Sequence, residues 1–398
     1  MFKNFKYITL FILVIILLTG CNFSSNNNKF NYELTNDEML EDYDALWDTL
    51  LKDFPYINSL KNQGVNVEKL KETYRDKIAG IESFDEYFSL LNHLIFYELR
   101  GEGHLSLVYP EAFYRYNDHY NDKDFENKEN FYNHSVSAYL DKGSEMRYST
   151  MGDLISQNNN INSESETESL ELFEKDDTLI IDYNSFWLDK ENEIDINYKK
   201  VKDVLENNTF DNIIFDLRGN FGGTPDAWLD IVEMIIDDDI EVKEYLLSYG
   251  LESKKAFEEV IRDKDKESSI KEHKDLGDDK IVYSVVSKIK SKKIIKNNPK
   301  IYIVLDEKSQ SATLMFADFA RNTGFAEILS RYPLNGGFGS WNFIIGVKAT
   351  VLPKSNLIVQ NYSFIKCDEN GNPYDPIINP DKIIDKGLSV DRLLRVIK

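Results

Sequence analysis

The stretch "NIIFDLRGNFGGTPDAWLDIVEMIID", Asn212–Asp237, combines an apolar run, a glycine turn and a helical pattern. The run "NIIFDL" has consecutive apolar residues, which predicts a strand buried on both faces, as in parallel sheets. The glycines that follow favour a tight turn, and the next apolar residues recur at helical spacing. This strand–turn–helix unit predicts an α/β architecture.

The same alternation continues on both sides of this unit. "TLIIDYNSF" (Thr178–Phe186) and "KIYIVLD" (Lys300–Asp306) predict two further strands, each followed by a helical pattern. We therefore expect a mixed α/β fold whose core is a mostly parallel sheet flanked by helices, with chemistry at the carboxyl ends of the strands. The charged residues 240–300 are expected to be mostly helical and to form a segment that lies above the sheet.

The residues before this core are predicted to be helical first. Apolar residues recur three and four apart after Asn36, which favours a small helical bundle, and "HLSLVYPEAFYRY" (His104–Tyr116) then suggests a strand. The predicted organisation is a signal peptide (1–21), a tether (22–35), the bundle (36–103), a connecting region (104–177) with a low-complexity insertion (156–169), and the core (178–398).

The first residues, "MFKNFKYITLFILVIILLTGC" (Met1–Cys21), have the pattern of an export signal. Two lysines precede an apolar run that is short for a membrane span. "LTGC" (Leu18–Cys21) resembles the lipobox of bacterial lipoproteins, in which the chain is cut before the cysteine and the cysteine is acylated. The resemblance implies a lipid anchor at Cys21 on the extracytoplasmic face of a bacterial membrane. An ordinary secretory signal or an N-terminal anchor helix is the alternative.

Composition excludes several other classes. The net charge of −22 disfavours nucleic-acid binding and direct adhesion to anionic lipid. The second cysteine, Cys367, has no partner for a disulfide once Cys21 is acylated. One thiol and five scattered histidines also argue against a structural zinc site.

Three segments could carry chemistry. "KSQSATLMFADFARNTG" (Lys308–Gly324) places Ser309 and Ser311 where a strand gives way to a helix, so either serine could simply cap the helix. A serine there could also be a nucleophile, because free N–H groups at the helix start stabilise an oxyanion. The glycine turn could donate further N–H groups or be only a tight connection, and His104, flanked by glycines, could be a base or a structural residue.

Together these segments resemble the S41 serine peptidases, the group of tail-specific proteases and the tricorn core. "DLRGNFGG" is similar to the family's DLRGNGGG. "SATLMFADF" follows a predicted strand, as the family's T-x-SA-x-E segment does. "GEGHLSL" is similar to D-G-H-T-x-L, and "ENGNPYDPIINPD" to G-x-x-x-E-x-x-G-[IV]-x-P-D. The resemblance covers about residues 36–385 and leaves no space for the PDZ domain that many members contain.

The resemblance implies that Ser311 is the nucleophile. Many members pair the serine with a lysine in a later turn, but the comparable turn here, "PLNGGFGSW", has no lysine. The branch that uses serine, histidine and a carboxylate is therefore the better match. It implies His104 as the general base and Asp375 as the acid, with Glu369 as the alternative acid.

The resemblance further implies an oxyanion site formed by the N–H groups of Ala312 and of Gly222 or Gly223. The expected activity is that of a serine endopeptidase or a C-terminal-processing peptidase, which acts on peptides or proteins and requires no metal or organic cofactor. An inactive peptide-binding lipoprotein of the same fold is one alternative. An esterase is another, although no G-x-S-x-G elbow surrounds Ser311.

Overall fold

The strand predicted at Asn212 forms the centre of a six-stranded sheet in the computed structural model. The structure describes residues 32–121, 133–158, 169–186, 193–250, 269–335, 348–374 and 377–397. The helices are α1 (Asn36–Asp53), α2 (Ile57–Asn62), α3 (Val67–Ile78), α4 (Phe84–His93), α5 (Pro110–Asn121), α6 (Asn133–Tyr139), α7 (Lys142–Asn158), α8 (Glu193–Asn207), α9 (Asp226–Ile235), α10 (Ala312–Thr323) and α11 (Val390–Ile397). The strands are β1 (Ser106–Leu107), β2 (Leu170–Lys175), β3 (Thr178–Tyr183), β4 (Asn212–Asp216), β5 (Ile240–Tyr249), β6 (Ser269–Gly277), β7 (Lys280–Ile289), β8 (Lys300–Val304), β9 (Glu327–Ser330), β10 (Leu334–Asn335), β11 (Lys348–Val351), β12 (Ile358–Asn361), β13 (Phe364–Lys366), β14 (Ile377–Ile378) and β15 (Lys382–Ile383).

The six-stranded sheet has the order β15-β9-β8-β4-β3-β2. Its neighbours pair in parallel except β2, which is antiparallel to β3. Ile213 and Phe215 pack into a core that includes α8, α9 and α10, whereas Ile214 packs on the other face against α11. The strand is apolar throughout because both of its faces are covered. The predicted mixed α/β fold with a mostly parallel sheet is confirmed.

A separate hydrophobic core lies under the N-terminal helices. Side chains of α1 to α4 pack there with side chains of β5, β7, β12 and β13. Helix α1 starts with a capping box in which Thr35 and Glu38 bond each other's main-chain N–H, and the Ser83 hydroxyl accepts a hydrogen bond at the start of α4. The predicted helical bundle is thus present. We call the hydrophobic core under the N-terminal helices the first core, and the core around α8, α9 and α10 the second core.

The expectation that residues 240–300 are mostly helical is wrong. Strands β5, β6 and β7 lie there and form an antiparallel sheet with β13, in the order β13-β5-β7-β6. In β7, Ile281, Val282 and Tyr283 are buried, whereas β6 is mostly exposed and charged. The charged side chains cover the solvent face of the sheet, and their abundance conceals the strand pattern in the sequence.

The strand suggested at 104–116 is shorter than expected. It consists of Ser106 and Leu107, and helix α5 begins at Pro110. Proline suits the first position of a helix, because the N–H that it lacks would have no partner there. Helix α7 extends three residues into the low-complexity segment, of which 159–168 lie outside the described residues.

No helix within the described ranges is long and apolar enough to cross a membrane. The predicted signal peptide and most of the tether fall in residues 1–31, outside the described residues.

Candidate active site

Ser311 occupies the N-cap position of α10 but does not cap the helix through its side chain. Its φ of 50° and ψ of −122° are unusual for a residue with a Cβ, and its hydroxyl makes no capping bond. Such strained backbone occurs often at functional sites. Ser309 differs: its buried hydroxyl donates to the Leu217 carbonyl at 3.0 Å and accepts from the Asp306 N–H at 3.1 Å. Ser309 therefore holds the turn, and Ser311 leaves its hydroxyl available.

His104 ends a short turn at Glu102–His104 in which both Gly103 and His104 have φ of 56°. A Cβ on Gly103 would lie 2.5 Å from the ring of Tyr56, so glycine is needed there for space as well as for backbone conformation. The N–H of Tyr362 donates to the Gly103 carbonyl at 2.7 Å, and the Tyr362 ring meets the imidazole edge-on at 4.7 Å between centroids. These contacts fix the orientation of the imidazole.

The two residues meet although 207 positions separate them in the chain. Ser311 Oγ lies 3.1 Å from His104 Nε2, within hydrogen-bond distance. Burial lowers the pKa of His104 from 6.5 to about 4, so the imidazole is neutral at pH 7. With its proton on Nδ1, Nε2 can accept the proton of the serine hydroxyl.

The glycine turn lies directly against the start of α10. A Cβ on Gly222 would lie 2.8 Å from the Ser311 Cβ and 2.9 Å from the Ala312 nitrogen. The N–H of Gly222 donates to the Asn220 side chain at 2.8 Å and so is already used. Among the described residues, the N–H groups of Gly223 and Ala312 have no hydrogen-bond partner. Of the N–H groups predicted for an oxyanion site, Gly223 and Ala312 are available and Gly222 is not.

Phe221 replaces a glycine of the family pattern without disturbing this turn. Its side chain is 57% exposed, and it does not have positive φ. A side chain is therefore tolerated at this position both sterically and conformationally.

The third member of the predicted triad is Asp375, with Glu369 as the alternative. Asp375 lies outside the described residues. Glu369 is exposed in a turn, and its main-chain carbonyl contacts the His273 ring at 3.1 Å. No carboxylate within the described ranges forms a hydrogen bond with the His104 ring, which contacts the Ser311 hydroxyl through Nε2. The assignment of the acid to Asp375 or Glu369 stays a prediction.

A lysine near the site, Lys366, does not replace the lysine of the Ser–Lys members. Its ammonium contacts Glu244 Oε1 at 2.5 Å and Asp318 Oδ2 at 2.7 Å. Burial alone would lower the pKa of Lys366, but the two carboxylates outweigh it and hold the pKa above the ordinary value. A lysine that stays protonated cannot act as a general base. Most of the "PLNGGFGSW" turn lies outside the described residues.

Comparison with known proteins identifies a family similar to the second half of the chain. Residues 177–360, which include the glycine turn and Ser311, match the model of peptidase family S41. No curated protein matches the sequence.

Several solved structures resemble this chain at low sequence identity. Mature CPAF has a TM-score of 0.50 at 10% identity, over 87% of this chain and 91% of its own. A candidate peptidase from Parabacteroides merdae ATCC 43184 has a TM-score of 0.49 at 14% identity, over 90% and 92%. A lipoprotein from Streptococcus agalactiae has a TM-score of 0.45 at 13% identity, over 90% and 95%. At 10% identity the similarity to mature CPAF bears on the fold and not on the activity.

Sequence reasoning missed one residue that builds this site. The buried Asn220 side chain accepts from the Gly222 N–H and from the Thr313 hydroxyl, each at 2.8 Å, and donates to the Tyr183 carbonyl at 2.7 Å. Asn220 thus ties the glycine turn to both β3 and α10. The only signal was an asparagine between glycines, which is typical of any turn.

The arrangement can transfer a proton from a serine hydroxyl to a neutral imidazole beside two free main-chain N–H groups. No cluster of metal-ligating side chains occurs within the described part of the chain.

Proposed function

We propose that this chain is a serine peptidase in which Ser311 is the nucleophile and His104 the general base. The observation that carries the proposal is the 3.1 Å contact between Ser311 Oγ and His104 Nε2, beside the free N–H groups of Gly223 and Ala312. This set supplies a nucleophile, a base and oxyanion donors, which are the groups that acyl transfer needs.

The reaction would proceed in two steps. Ser311 Oγ attacks the peptide carbonyl while its proton moves to His104 Nε2, and the N–H groups of Ala312 and Gly223 stabilise the oxyanion. His104 then gives this proton to the leaving amine nitrogen, and the carbon–nitrogen bond breaks. Water next attacks the acyl-enzyme with His104 again as base, which releases the acid and regenerates Ser311.

A fluorophosphonate probe tests the nucleophile on the soluble protein from Asn22 to Lys398. We expect the wild type to be labelled and Ser311→Ala to be unlabelled. His104→Ala should react about 10²- to 10⁴-fold more slowly, which is the usual contribution of a general base. Ser309→Ala is the matched control, because it removes a nearby hydroxyl that only holds the turn. Labelling that persists in Ser311→Ala would refute the proposed nucleophile.

Mass spectrometry of an unfolded protein substrate separates peptide hydrolysis from the alternatives. A peptidase produces new amino termini in the wild type and none in Ser311→Ala. Hydrolysis of simple esters without new termini would indicate an esterase. Absence of both labelling and cleavage would leave a peptide-binding protein of the S41 fold.

The location at the extracytoplasmic face of a bacterial membrane, through a lipid on Cys21, is part of the same proposal. It is supported by the basic start, the short apolar run and the "LTGC" pattern. Radiolabelled fatty acid should enter the full chain in bacterial cells and fail to enter Cys21→Ala. Equal incorporation in both would exclude this anchor.

A further inference from the structure

A buried cluster of charges lies two helical turns below the candidate nucleophile. The side chains of Lys366, Asp318 and Glu244 are 4%, 3% and 7% exposed. Lys366 contacts Asp318 at 2.7 Å and Glu244 at 2.5 Å, while the Arg321 guanidinium contacts the other Asp318 oxygen at 2.7 Å. Two cations therefore balance two carboxylates in a region with little water.

This cluster joins the two main hydrophobic cores. Lys366 ends β13, and its neighbours Phe364, Ile365 and Cys367 belong to the first core. Asp318 lies on α10, whose apolar side chains belong to the second core. Glu244 is on β5, which pairs with β13 in the same antiparallel sheet. The contact of Lys366 with Asp318 thus connects the two cores, whereas its contact with Glu244 stays within one sheet.

The candidate active site joins the same two cores. His104 precedes Leu105 and Leu107 of the first core, and Ser311 precedes Ala312 of the second. The contact between Ser311 and His104 therefore depends on how the helix α10 sits against the first core.

The two contacts lie close together along the chain on both sides. Asp318 follows Ser311 by seven residues, which puts both on one face of α10 at about 10 Å along its axis. Lys366 follows Tyr362 by four residues, with a bend at Ser363 between the end of β12 and the start of β13. The Tyr362 ring contacts His104. The start of α10 thus meets the segment 362–366 through His104, which contacts both Ser311 and Tyr362, and α10 meets it again through Asp318 and Lys366.

We propose that Lys366 and Asp318 are a positioning pair that holds α10 against β13 and thereby sets the distance between Ser311 Oγ and His104 Nε2. The catalytic meaning of this pair rests on the proposed function. A buried ion pair adds little net stability over apolar side chains, because its desolvation offsets its attraction. It does favour one arrangement, since each misaligned alternative leaves charges buried without a partner.

Two isosteric substitutions separate this role from simple stability. Asp318→Asn removes the carboxylate that links Lys366 to the nucleophile helix. Glu244→Gln removes the other carboxylate that the same lysine contacts and leaves the link to α10 in place. Both variants lose one buried charge and keep the shape of the side chain. Asp318→Asn also weakens the contact with Arg321, so urea unfolding is used to measure the stability that each variant loses.

Two readouts are measured on the folded variants. The first is the rate of fluorophosphonate labelling at Ser311. The second is the pKa of His104 by NMR of the histidine side chains, with His104→Gln used to assign its signals. In Asp318→Asn we expect labelling at least about tenfold slower, because small misplacements of reacting groups cost large factors in rate. We also expect the His104 pKa to move toward 6.5 as water enters the contact. Glu244→Gln should match the wild type in both.

The outcomes distinguish the two proposals. If the wild type is labelled and both variants behave alike, the positioning pair is refuted and the proposed function stands. If the wild type is not labelled but the His104 pKa moves only in Asp318→Asn, the proposed nucleophile fails and the positioning pair stands.

Discussion

Replacement of Gly222 by alanine should destabilise the protein and slow the reaction of Ser311 together. Gly222 has φ of +96°, and an added Cβ would lie 2.8 Å from both the Gln310 carbonyl oxygen and the Ser311 Cβ. Real Cβ atoms do not approach other heavy atoms so closely, and two of the atoms met, the Gln310 oxygen and the Ala312 nitrogen, belong to main chain. The turn and the start of α10 must therefore move apart.

Gly219 is the matched control in the same turn. Its φ is +81°, but nothing lies within 4 Å of a Cβ added there. Gly219→Ala should therefore cost only the left-handed backbone strain, about 1–2 kcal/mol. Gly222→Ala adds the cost of overpacking, about 1–3 kcal/mol, for a total of about 2–5 kcal/mol.

Urea unfolding gives the free energies, and fluorophosphonate labelling gives the reactivity of Ser311. We expect Gly219→Ala to be labelled within about threefold of the wild-type rate and Gly222→Ala about 10²-fold more slowly, since a displacement near 1 Å has that effect. Equal stability and equal labelling of the two variants would refute the close contact between the glycine turn and the nucleophile.

Three further expectations concern the base and the first core. The rate of fluorophosphonate labelling should stay level from about pH 8 to about pH 5 and fall as the pH drops through about 4. Burial lowers the pKa of His104 to about 4, and only the neutral imidazole accepts a proton. A midpoint near the ordinary pKa of 6.5 would contradict this expectation. Gly103→Ala should slow labelling more than Gly101→Ala. A Cβ on Gly103 would lie 2.5 Å from a buried ring, whereas a Cβ on Gly101 would lie 3.7 Å from a carbonyl oxygen. Equal rates would argue against close packing around the turn that carries His104. In urea unfolding, Asp42→Ala should lower the free energy of unfolding by about 2–4 kcal/mol, because two main-chain N–H groups lose a buried acceptor. Asp44→Ala breaks an exposed ion pair and should lower it by at most about 1 kcal/mol. Similar losses in the two variants would contradict this expectation.

Local signals in the sequence located the parts of the site but not their contacts. The strand at Asn212, the glycine turn and the helix after Ser311 each have a clear pattern within a few residues. The contact between Ser311 and His104 joins residues 207 positions apart, and only the family resemblance suggested it. The commitment of the Gly222 N–H to Asn220 could not be predicted either, because an asparagine in a turn has several possible partners.

Charge concealed two other features. Residues 240–300 form strands whose exposed face is rich in lysine and glutamate, residues that also suit helices, so the period of two was not recognised. Lys366 interrupts an apolar run, "SFIKC", and would ordinarily be placed at the surface. It is buried because Asp318, 48 residues earlier, and Glu244 supply its counter-charges. Neither partner can be deduced from the residues next to Lys366.

The pairing of β1 with β12 bears on when the serine becomes reactive. Ser106 pairs with Gln360, and the Tyr362 N–H holds the Gly103 carbonyl, so the turn that carries His104 is held by chain downstream of Ser311. During synthesis from the amino terminus, the nucleophile and the imidazole both exist before the strand that brings them together. Under the proposed mechanism, the Ser311 hydroxyl would therefore stay unactivated until the residues of β12 have been made and have paired with β1.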